Sequence, residues 1–212
     1  NTLIFDAGDI FQGTPYFNRF IEAFPTVHDL ALAEESEVLK LWEGLGYYSR
    51  ARNLYKTAQY ISTNLKGAFP STYSDLLKLK GIGPYTAAAI ASFAFNLPHA
   101  VVDGNVYRVL SRIFGIKTPI DSTEGKKEFQ KTAQNLLDSQ CPGAYNQAIM
   151  DFGATICTPK TPNCSYCPFL DQCYAFSQNT IDQLPIKHKK IRRKNRFLYY
   201  FVLRYNYEIA IK

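Results

Sequence analysis

The sequence lacks features that would place it in several other classes of protein. It contains no run of about 18 apolar residues, which argues against a membrane-spanning helix. No secretory leader is recognisable ahead of the first predicted helix. Four of the five cysteines fall within 17 residues, a clustering that is not typical of a secreted disulfide framework. The tight clustering of the cysteines favours a metal centre in a reducing compartment instead.

Acidic residues are missing from one part of a chain whose net charge is +6. Residues 187–196 carry seven Lys or Arg and no Asp or Glu, so the other residues together are close to neutral. Such a run is typical of a solvated linker and equally of a segment that contacts phosphates. A chain of 212 residues is long enough for one or two domains.

Strand signals are missing between residues 14 and 178, where apolar residues recur at helical spacing. The pattern predicts an all-α fold, with Ser36 and Asp103 as helix N-caps. Residues 197–205 and 209–211 read instead as two strands around a turn at Asn206, the start of a truncated β-containing domain. The predicted helices begin near Phe17, Glu37, Tyr47, Ser74, Pro84, Gly104, Ser122 and Ala144.

A glycine-rich turn between two predicted helices occupies residues 79–87. Gly81 and Gly83 suit a turn that needs a positive φ or a close backbone approach. Pro84 suits the first position of the following helix, whose free N–H groups would attract a phosphate. An ordinary interhelical turn explains the glycines alone more simply. Asp103, one helix later, and the clustered cysteines favour the phosphate site.

The four clustered cysteines have the spacing C-x6-C-x2-C-x5-C, formed by Cys157, Cys164, Cys167 and Cys173. Four thiolates in one loop can hold either tetrahedral zinc or a [4Fe–4S] cluster. Zinc sites usually pair their cysteines as two close pairs, whereas here one C-x2-C lies between two longer arms. The spacing therefore favours the cluster, and Cys141 is expected to be an ordinary thiol outside it.

These motifs occur together with residues 102–106, 145–148 and 151–154. In combination they resemble the endonuclease III superfamily of helix-hairpin-helix DNA glycosylases. Residues 44–54 resemble its MutY-type adenine DNA glycosylases, which remove adenine mispaired with 8-oxoguanine. The resemblance extends from about Thr14 to the end of the chain. It implies an all-α, two-lobed core that carries a [4Fe–4S] cluster loop.

The resemblance also implies a domain organisation and a partner. Residues 14–97 would form a helical lobe with the hairpin, and residues 98–176 the iron–sulfur lobe. Residues 177–196 would be a basic linker, residues 197–212 the start of a truncated domain, and residues 1–13 look foreign. The expected partner is double-stranded DNA with an adenine mispair, bound by a monomer without membrane contact. The expected location is the bacterial cytoplasm, at the nucleoid.

Two residues take catalytic positions by this resemblance. Asp103 matches the catalytic aspartate of the superfamily, whose carboxylate would stabilise the oxocarbenium-like sugar as the N-glycosidic bond breaks. A helix N-cap role for Asp103 is compatible with that task. Tyr85 stands where bifunctional relatives carry a lysine that forms a Schiff base. Because a phenol cannot do so, the resemblance implies a monofunctional hydrolase.

DNA contacts are implied in three places. Tyr47 matches the aromatic residue that wedges into the duplex beside 8-oxoguanine when adenine is flipped out, although a core tyrosine would also fit here. Lys160, in the six-residue arm of the cysteine loop, either contacts a phosphate or is simply solvated. The hairpin residues implied in DNA binding are Lys80, Gly81, Ile82, Gly83, Tyr85 and Thr86.

The N-terminus departs from the family pattern. In the family a helix before the equivalent of residues 15–17 carries a glutamate that protonates adenine, followed by Met-Leu-Gln-Gln-Thr. Counting back without a gap places Thr2 at the glutamate position, and a threonine cannot act as a general acid near neutral pH. Asp6 or Asp9 is a less favoured substitute. We therefore expect much reduced activity or none.

Residues 6–17 resemble instead a metal-binding motif of calcineurin-like metallophosphoesterases, in which Asp9 would bridge two metals. That site also requires a Gly-Asn-His-Glu motif and further histidines. The three histidines of this chain, His28, His99 and His188, stand in no such context. The main alternative to an adenine glycosylase is accordingly a DNA-binding protein without catalysis, with a metallophosphoesterase as a distant third.

Overall fold

The computed structural model describes residues 15–188, 203–205 and 208–210. The first of these ranges contains helices and connecting segments but no strand, which confirms the prediction of an all-α fold without strands over residues 15–178. Short 3₁₀ turns follow α9 at Cys164–Tyr166, Leu170–Gln172 and Ile181–Gln183. The helices are α1 Pro15–Ala23, α2 Val27–Leu32, α3 Glu35–Leu41, α4 Tyr48–Asn64, α5 Tyr73–Leu76, α6 Pro84–Phe95, α7 Gly104–Phe114, α8 Thr123–Leu136, α9 Pro142–Thr155 and α10 Tyr174–Ser177.

Side-chain caps fix several helix starts. Asp103 caps α7 as predicted, and Ser122, near which a helix start was predicted, caps α8; each accepts a hydrogen bond from a backbone N–H three residues on. The predicted cap Ser36 is wrong, because α3 begins at Glu35 after Glu34 and has no side-chain cap. Thr72 caps α5 ahead of the predicted start at Ser74, because its hydroxyl accepts the Asp75 N–H.

Three clusters of buried apolar residues stabilise the helices. Phe20 of α1 packs edge-to-face on Trp42 and on Phe24, in a cluster that also includes Leu30 of α2 and Ala58 of α4. A second cluster lies between α4, α5 and α6, around Ile61, Leu76 and Ile90. A third lies between α7 and α8, where Phe129 is fully buried.

Small residues bring α6 close to α9. Ala87, Ala88, Ala91 and Ser92 are buried, whereas Ala89 is half-buried. A Cβ on Gly143 of α9 would lie 3.0 Å from the Ser92 carbonyl oxygen, so the two backbones approach closely. The segment between α6 and α7, which leads to Asp103, is thereby set against α9.

The last described residues form a two-stranded antiparallel ribbon. The strands are β1 (Leu203–Tyr205) and β2 (Glu208–Ala210), with Arg204 opposite Ile209. They lie within or beside the two predicted strands, and the other residues of 197–212 lie outside the described ranges. The truncated β-containing domain stays a prediction.

Among the described residues, no helix has the length and apolar content needed to cross a membrane.

Candidate functional site

The glycine hairpin joins α5 to α6 through one left-handed residue. Gly81 has φ +83°, which confirms the prediction of a positive φ there. The same prediction is wrong for Gly83, which has φ −92° and would meet no atom within 4 Å if it carried a Cβ. Gly83 is instead the N-cap of α6, and Pro84 occupies the first position of that helix as predicted.

Helix α4 supports the hairpin from behind. A Cβ on Gly81 would lie 2.6 Å from the Cβ of Asn53, so the glycine lets the turn close against this side chain. One helical turn later, the buried Thr57 hydroxyl donates a hydrogen bond of 2.9 Å to the Lys80 carbonyl oxygen. The hairpin is therefore fixed by its own backbone and by two side chains of α4.

The outer side of the hairpin combines positive charge with backbone N–H groups. Lys80, Gly81 and Pro84 are exposed, Ile82 and Gly83 are half-buried, and Leu79 is buried. The first backbone bond of α6 runs from the Ala87 N–H to the Gly83 carbonyl, so the N–H of Thr86 has no partner within the helix. This end of α6 has the charge and donors that bind an anion.

Tyr47 projects from the start of α4. It is the N-cap of that helix in the left-handed conformation, with φ 47°, and its side chain is 71% exposed. The Arg50 guanidinium lies 4.7 Å from the centre of its ring, within the range of a cation–π contact. Tyr47 is thus an exposed ring supported from one side and does not belong to the core.

Asp103 is half-buried at the N-terminus of α7. Its Oδ1 accepts the Val106 N–H at 2.8 Å, and its Oδ2 accepts Asn105 Nδ2 at 2.9 Å. One carboxylate oxygen therefore caps the helix while the other is oriented by an amide. The geometry confirms the N-cap role and leaves the carboxylate half-buried rather than enclosed.

Arg108 connects that carboxylate to the cysteine loop. Its Nη2 donates to Asn105 Oδ1 at 2.8 Å, and its Nε donates to the Cys157 carbonyl oxygen at 2.7 Å. It is only 8% exposed, and its burial lowers the pKa of the guanidinium, which stays charged. Sequence reasoning missed Arg108, about one turn into α7, because its partners at residues 105 and 157 are set by the fold.

Arg112, one turn further along α7, holds the backbone of the cysteine loop. It is 2% exposed, and its nitrogens donate to the carbonyl oxygens of Thr158 at 2.7 Å and Pro159 at 3.0 Å. Its Nε bonds the carbonyls of Ile181 and Leu184 beyond the loop. Sequence reasoning missed this residue also.

The four predicted cysteine ligands line one narrow cavity, together with apolar side chains such as Ile113 and Phe152. Burial, with smaller contributions from the neighbouring cysteines, raises the pKa values of the Cys164 and Cys167 thiols. Cys157 Sγ accepts a hydrogen bond of 3.4 Å from Arg112 Nη1. Across the described ranges, no set of three or more His, Cys, Asp or Glu side chains has the geometry to hold a single metal ion.

The remaining predicted residues are distributed elsewhere. Lys160 is exposed in the arm between the first two clustered cysteines, and Cys141 is exposed outside the loop. His28 bonds Ser62, and His99 stacks on Tyr73. Thr2, Asp6, Asp9 and most of the basic run lie outside the described residues.

Two curated proteins that are similar in sequence to this chain are adenine DNA glycosylases. An adenine DNA glycosylase of Buchnera aphidicola subsp. Schizaphis graminum is 36% identical over 198 residues, which cover 93% of this chain and 57% of that protein. The adenine DNA glycosylase of Homo sapiens is 45% identical over 170 residues, covering 80% of this chain and 31% of that protein. The chain spans about half the length of the first relative and about a third of the second.

Solved structures agree in fold. A thermostable thymine-DNA glycosylase superimposes with a TM-score of 0.71 at 28% identity, over 77% of this chain and 75% of that one. A non-covalent endonuclease III–DNA complex gives a TM-score of 0.67 at 27% identity, over 77% and 75% of the two chains. These relatives are DNA repair proteins and give no support to the metallophosphoesterase interpretation of residues 1–13.

The class is therefore that of helical DNA glycosylases. The profile of the HhH-GPD superfamily base excision DNA repair proteins matches residues 12–138. The chain belongs to this superfamily.

Proposed function

We propose that the protein is a monofunctional DNA glycosylase that removes adenine mispaired with 8-oxoguanine or guanine, acting as a monomer on double-stranded DNA at the bacterial nucleoid. The observation that carries the proposal is the half-buried Asp103 carboxylate, fixed by two hydrogen bonds at the N-terminus of α7. We propose adenine as the released base because the similar proteins with 36–45% identity are named adenine DNA glycosylases.

Asp103 supplies the electrostatic part of the proposed reaction. As the bond between C1′ and the adenine nitrogen breaks, its electron pair leaves with the base and positive charge develops on the sugar. A carboxylate that is already oriented stabilises that charge without reorganisation. Water then adds to C1′ and loses a proton, which completes a hydrolysis. Proton delivery to the leaving adenine is assigned to solvent, and the reaction is slow for that reason.

Tyr85 separates this reaction from a lyase reaction. It lies half-buried in the first turn of α6, directly behind the hairpin. Its phenol has no amine with which to attack C1′, so the proposed reaction has no Schiff-base intermediate. We propose that Tyr85 lines the site beside the sugar.

The proposed DNA-binding surface comprises the hairpin, Tyr47 and Lys160. The hairpin offers the Lys80 charge and the helix N-terminus to one phosphate. The exposed Tyr47 ring is suited to replace the stacking lost when a base leaves the duplex. Hairpin residues Ile82 and Thr86 complete the backbone contact. Lys160 would add a second phosphate contact from the cysteine loop.

The cysteine loop fits a [4Fe–4S] cluster held by Cys157, Cys164, Cys167 and Cys173. Four sulfurs around one cavity supply the full ligand set. Zinc would require all four sulfurs at about 2.3 Å from a common centre, and the sequence spacing, with one C-x2-C between two longer arms, favours the cluster instead. When bound, the cluster would cross-link the loop and so fix Lys160. The buried Thr158 hydroxyl, which has no hydrogen-bond partner, lies next to the first ligand in sequence.

The domain limits that we propose are those expected from the sequence, with residues 14–97 and 98–176 as the two lobes. The distribution of the buried clusters supports this division, since two of them lie before residue 97 and the third after it. DNA would bind across the cleft between the lobes. Residues 177–196 would then form a basic linker to a truncated C-terminal domain.

A DNA-binding protein without catalysis is the second candidate. It is favoured by the sequence count that, without a gap, assigns Thr2 to the position of the family's general acid. The two candidates share every proposed DNA contact and differ only in base release. The chemistry of Asp103 therefore decides between them.

A single-turnover assay tests the proposal. The chain, loaded with iron and sulfide, is incubated with a duplex that carries adenine opposite 8-oxoguanine, and retention and base release are scored together. We expect retention with slow release, and loss of release in Asp103→Asn, which keeps the helix cap. Retention without release would support the second candidate. No retention would overturn both.

A further inference from the structure

The segment that delivers Asp103 has almost no regular hydrogen bonding of its own. Residues 97–102 join α6 to α7, and within the described ranges only the Leu97 and His99 N–H groups among them donate to backbone carbonyls, those of Ala91 and Leu97. Ala100 and Val101 are nevertheless 2% and 1% exposed. Buried backbone N–H and C=O groups require partners, so other side chains must provide them.

Three side-chain amides provide those partners. Gln134 of α8 donates to the Pro98 carbonyl at 2.8 Å and accepts the Ala100 N–H at 3.0 Å. Gln130, one turn earlier, donates to the Ala100 carbonyl at 3.0 Å. Both glutamines therefore form hydrogen bonds with backbone groups of residues 98–100.

Asn146 of α9 completes the set from the other side. Its Oδ1 accepts the Val101 N–H at 3.0 Å, and its Nδ2 donates to the His99 carbonyl at 2.9 Å. The same Nδ2 donates to Ser92 Oγ of α6 at 2.9 Å. Asn146 is 1% exposed, so each of these bonds is made away from water.

Of the six consecutive backbone polar groups from the Pro98 carbonyl to the Val101 N–H, all but the His99 N–H are thus bonded by amides of α8 and α9. A primary amide is suited to this, because it both donates and accepts and carries no charge. A carboxylate could not donate to the carbonyls, and an apolar side chain would leave them unpaired at a cost. These side chains make the hydrogen bonds that a neighbouring strand would make in a sheet.

We propose that Gln130, Gln134 and Asn146, here called the amide clamp, are positioning residues for Asp103. The last residue that the clamp bonds is Val101, two residues before Asp103. By fixing this backbone, the clamp fixes the position at which α7 and its N-cap carboxylate begin. Displacing a charged group by about 1 Å from a reacting centre is enough to lower a rate about 100-fold. This inference rests on the proposed glycosylase function.

Two duplexes that differ only in charge provide the test. Each carries 8-oxoguanine opposite a sugar analogue without a base, either a cationic pyrrolidine or a neutral tetrahydrofuran. The ratio of their dissociation constants reports how well the Asp103 carboxylate faces the developing positive charge. It requires no turnover, so slow base release does not affect it.

The chain should favour the cationic duplex by about 100-fold, and Asp103→Asn should lose most of that preference. Asn146→Leu and Gln134→Met should each lower the preference about tenfold with little change in affinity for the neutral duplex. Asn135→Leu is the matched control, since Asn135 is an exposed amide beside Gln134 and should keep the full preference. Thermal melting of each variant is recorded in parallel.

Unchanged preference in both clamp variants would overturn the inference while leaving the proposed function intact. An equal loss of affinity for the two duplexes would also overturn it, because it would mean that the amides serve folding alone. Should the unmodified chain show no preference for the cation, the role of Asp103 in the proposed function would fail, and the clamp with it. Gln134→Met, at an exposed site, keeps the test decisive if Asn146→Leu does not fold.

Discussion

The glycine hairpin and the cysteine loop are both irregular segments, yet they are held in opposite ways. The hairpin of residues 79–84 is fixed locally, by the positive φ of Gly81, by Pro84 and by two side chains of α4. The loop of residues 157–173 is held by hydrogen bonds from Arg108 and Arg112 of α7, which are far from it in the sequence.

This difference decides where each segment is sensitive to change. Hairpin geometry depends on which residues can adopt its backbone angles, so a single Cβ is enough to disturb it. The loop depends on donors that satisfy its buried carbonyl oxygens, so losing one guanidinium disturbs several residues at once. Asp103 lies between the two, at the start of the helix that carries both arginines.

The largest expected effect is that of Arg112→Met. Its removal leaves carbonyl oxygens of Thr158, Pro159, Ile181 and Leu184 without their donor, and we expect the free energy of unfolding to fall by about 3 kcal/mol or more. Urea unfolding measures the change, and bound iron per chain should fall with it. Lysine at this position should not restore either value, because a single ammonium cannot reach four carbonyls.

Arg52→Met is the control for that prediction. Arg52 pairs with Glu35 at 3.2 Å on the surface of the other lobe, where both side chains are about half exposed. Exposed ion pairs contribute less than about 1 kcal/mol. If Arg52→Met and Arg112→Met destabilise the protein equally, the loop is not held by the buried guanidinium.

Gly81→Ala should have the next largest effect. Its Cβ would meet Asn53 at 2.6 Å in a backbone conformation that disfavours side chains, and we expect a loss of about 2 kcal/mol. DNA affinity should fall, while bound iron should stay at its normal level, since the cysteine loop is not touched. Denaturation, fluorescence anisotropy with a duplex and iron analysis report the three quantities.

Gly83→Ala is the matched variant in the same turn. With φ −92° and no atom within 4 Å of a Cβ, it should leave stability within about 0.5 kcal/mol of the parent. Equal destabilisation by the two glycine variants would show that the local backbone does not control the hairpin.

Asp103→Ala should cost about 1 kcal/mol of stability, because the Val106 N–H loses its cap. Asp103→Asn keeps an oxygen at this position and should cost little, while removing the charge. Comparing the two by thermal unfolding separates the helix cap from the electrostatic role. A stability loss in Asn as large as that in Ala would contradict the observed cap geometry.

The smallest effect concerns His99, in the segment between the two regions. Burial lowers the pKa of His99 from its ordinary value of 6.5, so the unfolded chain binds a proton more readily than the folded one. The stability due to neutral His99 is fully present above the unfolded pKa and declines as the pH falls below it. His99→Gln should lose less stability between about pH 7.5 and about pH 5.5 than the parent does. Urea midpoints at the two pH values measure the difference, and equal losses would contradict the assignment to His99.

Local features of the fold could be predicted from the sequence, whereas the long-range ones could not. The Gly81 turn, Pro84 and the Asp103 cap depend on residues a few positions apart, and all three were predictable. Gly83 and Ser36 were misassigned because the same residue types also suit neighbouring positions.

The arginines and Asn146 required the tertiary structure. An arginine on an amphipathic helix is normally solvated, and nothing in the sequence of α7 shows that the backbone of residues 157–184 surrounds Arg108 and Arg112. Asn146 lies within a segment recognised by resemblance, yet its partners at residues 92, 99 and 101 come from distant parts of the chain. Burial of a polar side chain is a property of the fold.

The most direct test of the central proposal is an affinity comparison by fluorescence anisotropy. The iron-loaded chain is titrated with two duplexes that differ at one position, carrying either 8-oxoguanine opposite adenine or guanine opposite cytosine. We predict that the mispaired duplex binds at least about tenfold more tightly, with Tyr47→Ala removing most of that difference. Equal affinity for the two duplexes, or a preference that Tyr47→Ala leaves intact, would contradict the proposal.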